Sequence, residues 1–138
     1  MQTPYLFVYG SLMSGFRSHA YEYISSYFTF VGEATVQGTI YDMGDFPAAR
    51  PTDTGRLIKG ELYRINSPAE FAYAMAQLDD YEGLHPEDGE EIYFEREISS
   101  VFINGEALPA WVYWYNREIY DKPVVESGDL RDYLKNHG

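Results

Sequence analysis

The strongest constraint on the fold is a change of period along the chain. Apolar and polar residues alternate through "FVGEATVQGTIYDM" (30–43), "GRLIKGELYRI" (55–65) and "EIYFEREISSVFI" (91–103), as in strands with one face against a core. "YLFVYG" (5–10) is a short apolar run that stops at Gly10, as a buried strand does. Asn104-Gly105 is a two-residue hairpin signal, and "PAWVYWYN" (109–116) reads as the returning strand. The helical period is clear in "SPAEFAYAMAQLDDYEG" (67–83), weak in "SHAYEYISSYF" (18–28), and short in "ESGDLRDYL" (126–134). These segments predict a strand-dominated α+β fold with one well-marked helix. With no repeat, low-complexity tract or linker, residues 1–138 are expected to form a single domain.

The aromatic content agrees. Fourteen Tyr and eight Phe favour a β-rich core whose rings carry polar tips. A formal charge of −12 argues against nucleic acid or an anionic membrane surface as partner, since both repel an acidic face. The absence of cysteine excludes disulfides and thiolate chemistry. His19, His85 and His137 have no ligand spacing, so no metal and no cofactor is expected. No window approaches the ~20 apolar residues of a membrane span, and the N-terminus lacks a signal pattern, so a soluble cytoplasmic protein is the expectation.

The clear helix carries the acid of interest. Ser67 suits its N-cap, Pro68 its first position, Glu70 the capping-box position, and Gly83 its end. At about 100° per residue from Phe71, Met75 falls near about 40°, Leu78 about −20°, Glu82 about 20° and Asp80 about 180°. Glu82 therefore sits in the apolar stripe, Asp79 on its flank, and Asp80 on the opposite, solvent face. A carboxylate on a core-facing stripe acquires a raised pKa or must find donors, and such groups concentrate where protons are moved. Pattern alone leaves a second placement open, in which the helix frays after Tyr81 and Glu82 points into water.

"VYGSLMSG" (8–15) places a glycine directly after a buried strand, then a hydroxyl residue and a second glycine. Such a turn can aim several backbone N–H groups one way, a nest for a carboxylate or a developing oxyanion; it is also simply how strands turn. It has neither the glycine spacing of a dinucleotide fingerprint nor the lysine of a P-loop.

These two features, with "VQGTIYDMGDFPAARP", "IKGELYRI", "YFEREISSV" and "AWVYWYN" followed by "ESGD", resemble the γ-glutamylcyclotransferase-like superfamily, which includes γ-glutamylamine cyclotransferase and the AIG2-like proteins. The segments occur in family order and cover nearly the whole chain. The resemblance implies a small mixed β-barrel with flanking helices and a cavity at one end. It implies that Tyr9, Gly10, Ser11 and Leu12 hold the γ-glutamyl part of a small-molecule substrate through backbone amides, and that Glu82 is the catalytic acid/base. A substrate-contacting tyrosine hydroxyl falls on Tyr120, with Tyr113 as second choice. The sequence departs from the family pattern in the acidic insert "LHPEDGEEI" (84–92) and at Phe94, which stands where the family often has tyrosine (Tyr93 takes that place if the register slips).

The reaction so implied converts a γ-glutamyl amine or amino acid to 5-oxoproline and free amine, with one glutamate moving the protons. Glycoside hydrolysis needs two carboxylates facing one cavity, and Asp80 faces away from Glu82. A non-catalytic small-ligand-binding module on the same fold is the alternative, since a shared fold does not carry its chemistry with it. Which γ-glutamyl substrate, and the oligomeric state, are not written in the sequence.

Overall fold

The computed structural model describes residues 2–10, 12–16, 19–44, 46–82 and 93–137. Seven strands and three α-helices lie within them: β1 (Tyr5–Val8), α1 (His19–Tyr27), β2 (Phe28–Gln37), β3 (Thr39–Asp42), β4 (Pro47–Arg50), β5 (Leu57–Ile65), α2 (Phe71–Tyr81), β6 (Phe94–Ile103), β7 (Glu106–Tyr115) and α3 (Leu130–His137). Single 3₁₀ turns at Ser14–Phe16 and Pro68–Glu70 lead towards α1 and α2. None of these helices is long and apolar enough to cross a membrane.

Five strands close a barrel in the order β1-β5-β2-β6-β7. Neighbours are antiparallel except at the closure, where β1 runs parallel to β7 with Leu6 beside Trp111. The barrel is thus mixed, and helices flank it. β3 and β4 form a separate two-stranded sheet.

Alternation along the strands divides the apolar residues into two clusters. Phe7, Val36, Ile58, Leu62, Val101, Val112 and Trp114 form a strand-built cluster. Leu6, Val8, Tyr63 and Tyr113, their neighbours on the opposite faces, pack with Ile24 of α1 and Phe71, Ala74, Met75 and Leu78 of α2. The spacing 71, 74, 75, 78 is the helical stripe read from the sequence, and all four residues are buried.

Two turns show why their residues are needed. Asn104 (φ 51°) and Gly105 (φ 80°) both take positive φ between Ile103 and Glu106, as a tight hairpin turn requires. A Cβ on Gly60 would lie 2.2 Å from the carbonyl oxygen of Val8, so only glycine lets β5 approach the end of β1 this closely.

The weak helical pattern at 18–28 and the short one at 126–134 correspond to α1 and α3. The local reading needs correction in two places. Residues 30–43 are not one strand but parts of β2 and β3. The capping box at α2 does not form: Ser67 precedes the 3₁₀ turn, Glu70 is the N-cap of α2, and neither side chain makes a capping hydrogen bond. The intervening 3₁₀ turn separates the two residues from the geometry that reciprocal capping needs. Gly83 and the acidic insert at 84–92 lie outside the described residues.

Candidate active site

The cavity of interest, about 220 Å³, opens where β1 ends beside the C-terminal end of α2. Strand β1 and the turn after it contribute Phe7, Val8, Tyr9, Gly10 and Leu12. The end of α2 contributes Tyr81 and Glu82, the segment entering β4 contributes Phe46 and Pro47, and Phe94 and Tyr113 come from β6 and β7. The turn is closed by the Met13 N–H donating to the Gly10 carbonyl at 3.0 Å.

Glu82 resolves the two placements left open by the sequence. The helix does end at Tyr81, yet Glu82 keeps near-helical angles (φ −81°, ψ −3°) and its N–H still donates to the Leu78 carbonyl at 2.9 Å. One more residue of helical geometry keeps its side chain on the stripe. It is partly buried and lines the cavity. Burial, and secondarily the negative charge of Asp79, push its pKa up to about 7. A carboxyl group so poised can accept a proton and return it near neutrality.

Asp79, on the flank of the apolar stripe, is not a surface group. It is buried, receives two hydrogen bonds from Arg96 (Nε to Oδ1, 2.8 Å; Nη2 to Oδ2, 2.9 Å) and a third from the Tyr113 hydroxyl (2.7 Å to Oδ1). The guanidinium also lies over the Trp111 ring, 4.4 Å from its centroid. Burial first, then the hydrogen bond to Asp79, raises the Tyr113 hydroxyl far above the usual phenol range. The Tyr9 hydroxyl is raised too, by burial and then by Glu82, and it donates to the Tyr113 carbonyl at 2.5 Å. Both phenols remain protonated donors that tie the turn, β7 and α2 together.

A second buried carboxylate holds the turn from below. Glu61 on β5 accepts hydrogen bonds from the Ser14 N–H and Ser14 hydroxyl (2.8 Å each) and from the Tyr63 hydroxyl (3.0 Å), with Arg131 Nη1 at 3.8 Å. Sequence reasoning missed Glu61 because it occupies a strand position that alternation assigns to a polar face. It passed over Arg96 for the same reason. The covering of those faces by helices and turns is not visible in a strand's own period.

Of the residues singled out from the sequence, the structure brings Tyr9, Gly10, Leu12 and Glu82 to one cavity, and Tyr113 with them. Ser11 lies outside the described residues. Tyr120 is not among the residues lining the cavity; it is 70% exposed and its hydroxyl bonds to Glu118. Phe94, the departure from the family pattern, lines the cavity, whereas its neighbour Tyr93 is half exposed and stacks on Tyr115. Among the described residues no three His, Asp or Glu side chains are placed to hold a metal ion.

Residues 6–132 match the family model described as gamma-glutamyl cyclotransferase, AIG2-like. The chain belongs to this family.

Among the AIG2-like relatives, a Methanocaldococcus jannaschii protein provisionally named a gamma-glutamylcyclotransferase is 30% identical over 129 residues, covering 94% of this chain and 97% of the relative. The gamma-L-glutamyl-butirosin B gamma-glutamyl cyclotransferase of Niallia circulans is 30% identical over 135 residues, covering 97% of this chain and 80% of the relative. The crystal structure of an AIG2-like protein from Mus musculus superposes with a TM-score of 0.69 at 20% identity, over 94% of this chain and 90% of the mouse chain. That likeness concerns the fold, and the AIG2-like barrel found here is the same architecture.

Proposed function

We propose that this protein is a γ-glutamylcyclotransferase in which Glu82 moves the protons of lactam formation. Family membership and the names of its relatives support the activity class. The observation that carries the reading is Glu82 itself, with a carboxyl titrating at about 7 and facing into the cavity that the turn after β1 also lines.

The substrate's α-ammonium and its γ-carbonyl belong to one molecule, so the protein's first task is to fold that molecule into an attacking geometry. Glu82 takes a proton from the ammonium, and the freed amine adds to the γ-carbonyl carbon. The backbone of residues 9–12 receives the negative charge that develops on oxygen or holds the α-carboxylate. Protonated Glu82 then delivers a proton to the departing nitrogen as its bond to the γ-carbon breaks. A five-membered lactam, 5-oxoproline, and an amine result. The ammonium surrenders two protons in all, and both end on the leaving amine, which departs as its own ammonium.

The decisive experiment is 5-oxoproline release from a panel of γ-glutamyl amines, γ-glutamyl amino acids and glutathione, with wild type and Glu82→Gln. Turnover by wild type and its loss in a folded Glu82→Gln variant is the expected result. Undiminished turnover in that variant removes Glu82 from the mechanism, and no turnover on any member of the panel favours a binding module.

A further inference from the structure

We propose that Phe46 and Phe94, backed by the buried ring of Tyr115, form the subsite for the departing amine, and that this subsite takes an amine bearing an aromatic ring. The inference rests on the cyclotransferase reading and adds to it the leaving-group class.

Three separate segments bring the rings together. Phe46 stands ahead of β4, Phe94 opens β6, and Tyr115 closes β7 directly opposite Phe94 in the strand register. The Phe46 ring lies 6.0 Å from Phe94 at 67° and 5.8 Å from Tyr115 at 48°. Phe94 meets Tyr115 edge to face at 5.5 Å, and Tyr93 stacks on the same tyrosine at 6.3 Å and 9°. These are the separations and tilts at which aromatic rings attract one another, so each ring is held by the others before any ligand arrives.

Such a cluster is ordinarily sealed inside a core. Here Phe46 keeps 38% of its surface exposed, and both Phe46 and Phe94 line the cavity that contains Glu82. Tyr81, next to Glu82 in the chain, lines the cavity as well.

The proton transfer fixes which part of a substrate meets this wall. The departing nitrogen must come within hydrogen-bond reach of Glu82, and the γ-glutamyl head occupies the side lined by Tyr9, Gly10 and Leu12. The substituent on the nitrogen therefore projects from Glu82 into the remaining lining, where Phe46 and Phe94 stand. A flat apolar group gains contact with rings already ordered for it.

The test compares kcat/KM of the full-length chain on γ-glutamyl-benzylamide and γ-glutamyl-methylamide, followed as 5-oxoproline. The benzylamide is expected to be the better substrate by about tenfold, the range of an added ring contact. Phe46→Ala is expected to bring the ratio close to one, and Phe46→Leu, which keeps apolar volume without the ring, to an intermediate value. A wild-type ratio at or below one, with 5-oxoproline formed from both, overturns the subsite while leaving the cyclotransferase reading intact. If neither compound yields 5-oxoproline, the wider panel decides the cyclotransferase reading, and calorimetry with the N-acetylated forms, which cannot cyclise, decides the subsite. Tighter binding of the benzyl compound that is lost in Phe46→Ala supports it, and equal affinities overturn it.

Discussion

Asp79 and Arg96 face each other through two parallel hydrogen bonds of 2.8 and 2.9 Å, one helical turn before Glu82. The pair is mostly enclosed, with 9% of the Asp79 side chain and 20% of the Arg96 side chain exposed. It puts a negative charge near Glu82 and at the same time supplies the cation that makes that charge tolerable inside the protein.

Breaking the pair from the Arg96 side leaves Asp79 buried without its cation. Arg96→Met is expected to destabilise the fold by about 3 kcal/mol, the usual order for orphaning a buried ion-pair partner. Urea unfolding at pH 7 measures this. A loss below about 0.5 kcal/mol contradicts the role assigned to the pair.

Removing the charge from the Asp79 side has a signed effect on chemistry. Asp79 is the second cause of the raised Glu82 pKa, after burial, so Asp79→Asn lowers it. The acid limb of the kcat/KM profile is expected to move to lower pH. A limb that stays in place, or moves up, counts against the coupling.

Glu82 should also mark the stability of the protein as pH changes. Its folded pKa of about 7 lies above the ordinary 4.5, so the folded state holds this proton more tightly than the unfolded chain. The resulting stabilisation is present below about pH 4.5 and is lost as pH rises through about 7. Glu82→Gln has no such proton to lose. It is expected to match wild type near pH 4.5 and to exceed it at pH 8 by up to about 3 kcal/mol, a difference read from paired urea titrations. A Glu82→Gln variant less stable than wild type at pH 8 contradicts the strained-carboxylate account.

A methyl group at position 10 would intrude on the cavity without breaking the fold. A Cβ on Gly10 lies 3.8 Å from Pro47 Cγ, an ordinary contact, and both residues line the cavity. Gly10→Val is expected to reduce kcat/KM far more than Ser11→Ala, because the turn is proposed to bind substrate through its backbone, with unfolding free energy within about 1 kcal/mol of wild type. A greater loss from Ser11→Ala reverses the assignment.

Glu61 holds that turn in place. Glu61→Leu strands the Ser14 N–H and hydroxyl and the Tyr63 hydroxyl, and is expected to cost about 2 kcal/mol or more. Hydrogen exchange at the Ser14 amide should accelerate, with KM for the γ-glutamyl substrate rising more than kcat falls. An unchanged Ser14 exchange rate removes this anchor.

Much of this architecture was legible in the pattern of residues, and the exceptions have physical causes. Asn104-Gly105 announced its hairpin because few other dipeptides accept positive φ twice in succession. The α2 stripe announced its buried face because four apolar residues share one side of a helix. By contrast, Ser67 and Glu70 have suitable chemistry for a capping box, and a 3₁₀ turn places them elsewhere. The C-terminal tyrosines were harder still. Tyr113 and Tyr120 are alike as residues, yet one hydroxyl is buried against Asp79 and the other lies on the surface beside Glu118.

Local periodicity and turn chemistry act over a few residues, so composition and order alone specified the central helix, its apolar stripe and most of the barrel strands, and left Glu82 between an inward and a solvent-facing placement. The environment of Glu82 is a long-range matter. Asp79 reaches Arg96 across 17 positions and Tyr113 across 34, and Ser14 reaches Glu61 across 47. No local preference encodes such pairings; they exist only once the barrel has closed and α2 is packed against it. Tertiary packing therefore decided how dry the acid is, which charges surround it, and which rings line the cavity beside it, because burial and Coulomb interactions depend on distance in space and not on distance along the chain.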